Sequence, residues 1–367
     1  MTFRLLVALS PHGFGHAAMT LPIINKIKEM VPGVDLTLYS SLPRSLLASR
    51  LSYGFEYIDG IDDFGLVMTS ATRIDLDATA RAYNLRHLDW QNRLEAEVAR
   101  LEKARPDLIL ANVPYLTLAA AKALGIPAIA LSSLNWYDLY RAYLGDRPEA
   151  DQVLERILVS HGGASKFLKF APCLPMEALA RVTELVPLGP SARLGLKDPK
   201  GLRSKLEVPA SERLGVIAYG GVAQRLPVED WPVMAGWTWL VPADWGVKRA
   251  DFRPFEGAGM SFPDLLASSD LVITKPGYGT YTEAACNGVA VLAQERPDWP
   301  ESAPFDLWMK EHARYLSLPE GRIRKGRIQD EVEHLATCNA PECPHPTGIV
   351  EAAIIILKDI KKLQKWL

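Results

Sequence analysis

The sequence predicts an α/β protein of two Rossmann-like domains facing a central cleft. Three observations carry that reading. Short apolar, β-rich runs alternate with helix-forming segments along most of the 367 residues, the pattern of a mostly parallel sheet covered on both faces. The alternation occurs twice, on either side of a segment rich in turn-formers and charge: Pro187, Pro190, Ser191 and Lys197 to Lys200. Each half also carries a glycine-rich turn between a strand and a helix, at His12 to His16 and at Lys275 to Thr280. The length suits two domains of ordinary size.

Phe3 to Ser10 is apolar and β-compatible, and predicts the first strand. It runs into Pro11-His12-Gly13-Phe14-Gly15-His16, then a helical stretch from about Ala17 to Met30 whose Leu21, Ile24 and Ile27 mark one buried face. Pro22 lies inside that stretch and argues for a later helix start. Leu36 to Tyr39 (strand), Pro43 to Leu51 (helix) and Phe55 to Ile58 (strand) continue the alternation. Leu76 to Lys103 favours one long helix with Leu94, Val98 and Leu101 on one face. Asp75-Leu76-Asp77 matches a metal-holding Asp-x-Asp pattern, but the tripeptide is common, and Asp77 reads better as the N-cap of this helix. Leu108 to Ala111 (strand), Leu116 to Leu124 (helix) and Ala128 to Leu131 (strand) follow. In parallel sheets the ligand crevice lies beyond the C-terminal strand ends, which places His12, His16, Asn135 and Trp136 near one rim.

The second half starts with Leu214 to Ala218 and turns at Tyr219-Gly220-Gly221. It continues through Thr238 to Val241 (strand), Phe262 to Ser268 (helix), Leu271 to Thr274 (strand), Thr280 to Cys286 (helix) and Val289 to Leu292 (strand). From Gly348 to Leu367, Ile356, Ile360, Leu363 and Leu367 recur at helical spacing with lysines between them, so one face is buried. Docking back on the N-terminal domain is the commoner fate of such a helix. Lying on a membrane surface, as a peripheral contact, is the other. The expected domains are 1–190, 191–345 and the returning helix at 346–367.

Charge excludes some classes. Lys plus Arg (41) nearly balances Asp plus Glu (43), which argues against a nucleic-acid binder relying on a broad basic field. The apolar run Leu5 to Leu9 is too short for a signal segment, and no uncharged run reaches the roughly 18 residues a spanning helix needs. Four cysteines in a chain this long do not make a secreted disulfide framework. The expected location is the cytoplasm.

The turn after Leu271 to Thr274 has the strongest chemistry. The first N–H groups of a helix lack intrahelical partners and sit at the positive end of its dipole, so they attract phosphate. Gly277 and Gly279 allow close approach, Lys275 adds a full charge, and Glu283, one turn on, can accept from ribose hydroxyls. The plain alternative is an ordinary strand-to-helix turn with Lys275 and Glu283 solvated. Tyr219-Gly220-Gly221 also follows a strand and can reach a diphosphate, helped by Gln224, or be only a tight turn. His12 and His16 flank the first glycine turn. Histidine suits a general base with little perturbation of its pKa, although two histidines in five residues also fit a partial metal site or helix capping. His334, Cys338, Cys343 and His345 are zinc-capable, but their irregular spacing favours a structural role.

Gly277, Thr280 and Glu283, followed by Asn287-Gly288-Val289 and an apolar strand, resemble the donor-site signature of UDP-sugar glycosyltransferases of the two-Rossmann-domain (GT-B) kind. Closer still, Lys275 to Glu283 with Arg296-Pro297-Asp298 and Glu301-Ser302-Ala303-Pro304-Phe305 resembles the glycosyltransferase-like N-terminal region of plant L-arabinokinases. His12 to Ala17, Asn135-Trp136, Tyr219-Gly220-Gly221 and Thr347-Gly348 also have counterparts there. The kinase half of those proteins has no counterpart in this sequence.

The resemblance implies an inverting, metal-independent glycosyltransferase. A UDP-sugar would lie on the C-terminal domain, with phosphates at Lys275, Gly277, Gly279, Thr280, Gly220 and Gly221, ribose on Glu283, and Asp298 and Glu301 toward the sugar. The acceptor would meet Gly13, Gly15, Asn135 and Trp136 and be deprotonated by His16, with His12 as the second candidate. Phe14 and His12 stand where the family loop often has more glycines. No cofactor or metal is expected beyond the UDP-sugar co-substrate, and no nucleic acid. Two other readings stay open: a UDP-sugar 2-epimerase on the same fold, which needs no acceptor, and a sugar-nucleotide sensor, which needs no base.

Overall fold

Strands covered by helices on both faces must be apolar throughout, and the central strands of the first sheet bury almost every side chain. The chain builds this sheet as β1 (Phe3–Leu9), α1 (Gly15–Met30), β2 (Val34–Tyr39), α2 (Arg44–Ala48) and β3 (Glu56–Ile58). It continues with α3 (Leu76–Leu88), α4 (Trp90–Ala104), β4 (Leu108–Asn112), α5 (Tyr115–Leu124), β5 (Ala128–Ser132), α6 (Trp136–Leu144), α7 (Ala150–His161), β6 (Lys166–Phe170) and β7 (Glu184–Leu188). All pairings are parallel, in the order β3-β2-β1-β4-β5-β6-β7.

The second sheet follows α8 (Pro199–Lys205), with β8 (Arg213–Ile217), β9 (Trp237–Val241), β10 (Phe252–Pro254), α9 (Phe262–Ala267), β11 (Leu271–Thr274), α10 (Tyr278–Cys286) and β12 (Ala290–Gln294). α11 (Ser302–His312), β13 (Tyr315–Leu318), α12 (Glu320–Arg324) and α13 (Gln329–Thr337) complete it, and α14 (Gly348–Gln364) ends the chain's described helices. The strand order is β10-β9-β8-β11-β12-β13, again all parallel. Its core includes Trp231, Trp237 and Trp239 with Ile273, Leu292 and Val332.

This computed structural model describes residues 2–70, 73–219 and 225–364. Two units emerge: one from the residues up to Ser191 with those from Thr347 onward, the other Ala192–Pro346. In the first unit α14 packs on α1 and β7, burying Ala352, Ala353, Ile356, Leu357 and Ile360. Gly348 N donates to Pro190 O at 3.2 Å, Gly189 N donates to Glu351 at 2.8 Å, and Lys166 pairs with Asp359 at 2.8 Å. Leu367, like Gly220, Gly221 and Gln224, lies outside the described residues. Among the described residues no helix is long and apolar enough to cross a membrane.

Several boundaries differ from expectation, each for a local reason. α1 starts at Gly15 and runs through Pro22; the proline forgoes one backbone bond, while Leu21, Ile23 and Ile24 around it are buried. The helix expected from Pro43 to Leu51 is only Arg44–Ala48, with Pro43 at its N-cap. The long helix is two: Asp89 ends α3, its N–H donating to Leu85 O, and starts α4 by accepting from Arg93 N. That corner lets Trp90 stack on Tyr115, with ring centroids 6.0 Å apart. Asp75, not Asp77, is the N-cap of α3 and accepts from Ala78 N at 2.8 Å, because Asp75 has the extended backbone a cap needs. Asp77 instead pairs with Arg147 at 2.6 Å. Pro187, expected in a linker, sits in β7, an edge strand, where a missing N–H costs no ladder bond.

Candidate functional site

A parallel sheet opens a crevice where the chain reverses its direction of winding. In the first sheet that point lies between β1 and β4, and in the second between β8 and β11. Each glycine turn singled out in the sequence follows one of these strands.

In the first unit, β1 ends at the His12 turn and β4 ends at Asn112. Gly13 has a left-handed φ of 81°, which reverses the chain so that α1 can begin at Gly15. His16 is buried in the first turn of α1, and its Nδ1 lies 2.8 Å from Asn112 Oδ1. The amide nitrogen of Asn112 donates to Thr20 Oγ1 at 2.8 Å and to His16 O at 3.4 Å, so its oxygen faces the ring. The ring therefore carries its proton on Nδ1 and a lone pair on Nε2. Burial lowers the His16 pKa below the ordinary histidine value, against the opposing bond to Asn112. The result is a neutral, oriented imidazole. His12 is held differently: its Nδ1 meets Phe64 O at 3.2 Å and its N–H donates to Ser10 Oγ.

Trp136 joins the two histidines, with its ring centroid 5.4 Å from His12 and 5.9 Å from His16. It is fully buried and forms a wall against the histidines. Asn135 lies beside it. It too is fully buried, and its side chain is occupied as the N-cap of α6, accepting from Asp138 N and donating to Asp138 Oδ2, both at 2.8 Å. Gly15 keeps open space around its α-carbon.

In the second unit, β11 ends at Thr274, just before Lys275, and α10 begins at Tyr278 rather than Thr280, with Gly277 as an N-cap that offers no side chain. The N–H groups of Tyr278, Gly279 and Thr280 thus lie in the first turn of an uncapped helix. A Cβ on Gly279 would meet nothing within 4 Å, so a ligand has room to approach. Burial, joined by the nearby charge of Arg296, lowers the Lys275 pKa to about 8, with Glu301 opposing both. Arg296 is buried with its guanidinium 3.9 Å over the Trp299 ring. Sequence reading placed Arg296 only in a family match; its closeness to Lys275 needed the fold.

Glu283 is buried in α10, and Arg193 Nε donates to its Oε1 at 3.1 Å. It was expected to face the crevice; Arg193, ninety positions earlier in the chain, was not foreseen. Asn287 fixes that segment: its amide donates to Arg193 O and Glu283 O, and its oxygen accepts from Gly195 N. Glu301, expected to reach toward a sugar, is buried and accepts from Trp299 Nε1 at 3.1 Å, because it lies at the N-terminus of α11 under that indole. Asp298 is exposed.

Among the described residues no group of three or more His, Cys, Asp or Glu side chains is arranged to hold a metal ion. His334, Cys338, Cys343 and His345 are not gathered: Cys338 caps the end of α13, and Cys343 is exposed beside Gly288.

No family model matches the chain. It is 23% identical over 298 residues to the L-arabinokinase of Arabidopsis thaliana, covering 80% of this chain but 28% of that protein. The chain thus spans little more than a quarter of the length of the curated relative it matches. Among solved structures it is similar to the glycotransferase of kitacinnamycin (TM-score 0.62, 16% identity, 98% of this chain and 95% of that one). It is similar to the calicheamicin glycosyltransferase CalG4 (TM-score 0.61, 17% identity, 99% and 95%). A putative UDP-N-acetylglucosamine 2-epimerase from Listeria monocytogenes is alike to the same degree (TM-score 0.60, 13% identity, 100% and 98%). Two parallel α/β sheets with these strand orders, matched along the whole chain by glycosyltransferases, make this a GT-B fold.

Proposed function

We propose that the protein transfers a sugar from a nucleoside-diphosphate sugar to an acceptor hydroxyl, by inversion and without a metal. The observation that carries this reading is the uncapped N-terminus of α10 with Lys275 beside it, at the switch point of the second sheet. A diphosphate would take the N–H groups of Tyr278, Gly279 and Thr280, with Lys275 and Arg296 supplying charge. Glu283, oriented by Arg193, would accept from the ribose hydroxyls. His16 Nε2 would take the proton of the acceptor hydroxyl as that oxygen bonds to the anomeric carbon. The bond to the diphosphate breaks at the same time, and the nucleoside diphosphate leaves with the electron pair. Charge developing on the leaving group is what the helix and the two cations would stabilise. A cation of that strength makes a divalent metal unnecessary.

Among similar structures, one is complexed with UDP-2-fluoroglucose and another with dTDP, so both nucleotides belong in the first test. Calorimetry should detect UDP or dTDP binding that survives exhaustive chelation; binding abolished by EDTA and restored by Mg2+ or Mn2+ defeats the electrostatic account. His16→Ala should then slow nucleotide-sugar consumption about a hundred-fold or more while nucleotide affinity stays unchanged, since general-base catalysis typically contributes about 10²- to 10⁴-fold. His12→Ala is the control. Full turnover in His16→Ala with loss in His12→Ala would reverse the assignment.

The epimerase-like neighbour favours one second reading, isomerisation of the sugar while it stays on the nucleotide. Product analysis separates the two: transfer or hydrolysis releases nucleoside diphosphate, and epimerisation in place yields a new nucleotide-sugar. If nucleotide binds and no sugar is consumed, a sensor is the better account.

A further inference from the structure

One face of the first unit is more apolar than a solvated surface needs to be. Ala119 and Ala123 stand one turn apart on α5, and their short side chains floor a groove of about 510 Å³, walled by Trp90 and Leu94 of α4 and by Val159 of α7. The groove is preformed. Trp90 stacks on Tyr115, and Arg156 of α7, its guanidinium 5.3 Å from the Trp90 ring, donates to His87 O at 2.6 Å. His87 lies in the last turn of α3, so the same bond holds the end of that helix beside the groove. Leu85 and Leu88, one turn apart there, are 68% and 85% exposed. Single exposed leucines are ordinary. Two on one turn beside an open apolar groove, with Val159 half exposed as well, form a patch of the kind another surface covers.

We propose that a second copy of this chain covers this face, each copy placing Leu85 and Leu88 in the other's groove over Ala119 and Ala123. A projecting pair beside a hole on one surface complements itself under a two-fold axis, where residue i meets j and j meets i. Charge favours the same partner. Arg81 and Asp89 flank the leucines, while Lys122, Glu155 and Arg156 rim the groove, and among the described residues none of the five is in an ion pair. Each sign beside the leucines therefore has its opposite on the rim: Lys122 and Arg156 for Asp89, Glu155 for Arg81. An anionic ligand would leave Asp89 and Glu155 unmatched, and a bare apolar one would leave all five. Exposed pairs of this kind add little affinity but fix which surface meets which. Every residue involved belongs to the first unit, so the contact does not depend on the sugar-transfer reading.

The two halves of the contact give two independent variants. Leu88→Asp puts a charge on the projecting pair, and Ala123→Arg fills the groove. Both positions are exposed, so both variants should fold, with an unchanged far-UV spectrum and Tm as the check. Either variant alone spoils both contacts of a symmetric dimer. Mixed in equal amounts they leave one contact intact, from Leu88 of the Ala123→Arg copy into the groove of the Leu88→Asp copy.

The test is sedimentation equilibrium of the full chain. We expect the wild type to reach twice the mass of one chain below about 100 µM, the weak end of specific association. Leu88→Asp and Ala123→Arg should each weaken dimerisation by roughly tenfold or more, as the loss of a central apolar anchor does. Their equimolar mixture should associate more than either alone. Asp89→Lys should also weaken the dimer, and adding Lys122→Asp to it should restore part of the loss, because the pair is then reversed rather than broken. A wild type that stays monomeric at about 100 µM overturns the proposal. So does a dimer that Leu88→Asp and Ala123→Arg leave intact, since another face then holds it. A mixture no more associated than its two components shows that α3 and the groove do not meet, and overturns it as well.

Discussion

Lys275 shows how one residue's charge depends on what approaches it. Burial and the nearby Arg296 lower its pKa to about 8, so the ammonium is only partly secured at the upper end of the physiological range. A diphosphate beside it would favour the charged form, which couples nucleotide binding to proton uptake. The sign follows: affinity is full where Lys275 is already protonated, below about pH 8, and falls as pH rises through that value. Calorimetric UDP affinity should therefore drop by up to roughly tenfold per pH unit above about pH 8. Lys275→Arg, whose charge does not titrate, should give a flat profile over the same range. A wild-type affinity that is constant to about pH 9.5 would remove Lys275 from the phosphate site. His16 moves in the same direction for the opposite use, since burial lowers its pKa and leaves a base unprotonated at neutral pH.

At the scale of elements, α10 works because a separate segment is laced to it. Asn287, just past its last turn, donates to Arg193 O at 3.1 Å and to Glu283 O at 2.7 Å and accepts from Gly195 N at 2.9 Å. Arg193 in turn sets the Glu283 carboxylate. Asn287→Ala orphans these groups at about 1–3 kcal/mol for each buried one. It should lower Tm by several degrees and weaken nucleotide binding together with Arg193→Ala. Asn287→Ala with unchanged nucleotide affinity would mean that Glu283 needs no such support. These links also show what the sequence makes legible. Leu271 to Thr274, Gly277 and the strand of Ala290 are local signals, written in apolar runs and glycines, and they appear where the pattern puts them. Pro187 in an edge strand and the corner at Asp89 are tertiary overrides of local propensity. Asn112 behind His16 and Arg193 on Glu283 are partners brought together by sheet order, and no window of sequence contains both members of either pair.

The same sheet order governs the molecule as a whole, because the first unit is discontinuous: the chain leaves it after Ser191 and returns at Thr347. α14 closes it by covering α1, and the close approach of Gly189 and Gly348, where a Cβ on Gly348 would meet Gly189 backbone, shows how tightly the returning chain is seated. Ile356, Leu357 and Ile360 are buried there with Ala352 and Ala353. Three large aliphatic side chains are worth about 1.5–3 kcal/mol each, so removing them forfeits roughly 5–9 kcal/mol. A domain of ordinary size is stable by only about 5–15 kcal/mol in total. A chain ending at Pro346 should therefore lose the first unit, seen as protease cleavage within the residues up to Ser191, while Ala192–Pro346 remains resistant. On the proposed division of labour, this truncated protein should still bind nucleotide, with Lys275 and α10 intact, and should consume no nucleotide-sugar because His16 has lost its fold. Replacing Ile356 and Ile360 together by Ala in the full chain gives a milder version, with a fall in stability of about 4–10 kcal/mol and an early melting transition in the first unit alone. Truncation that leaves His12 to His16 protected from proteolysis would show that α14 is an accessory to the first unit and not part of its core.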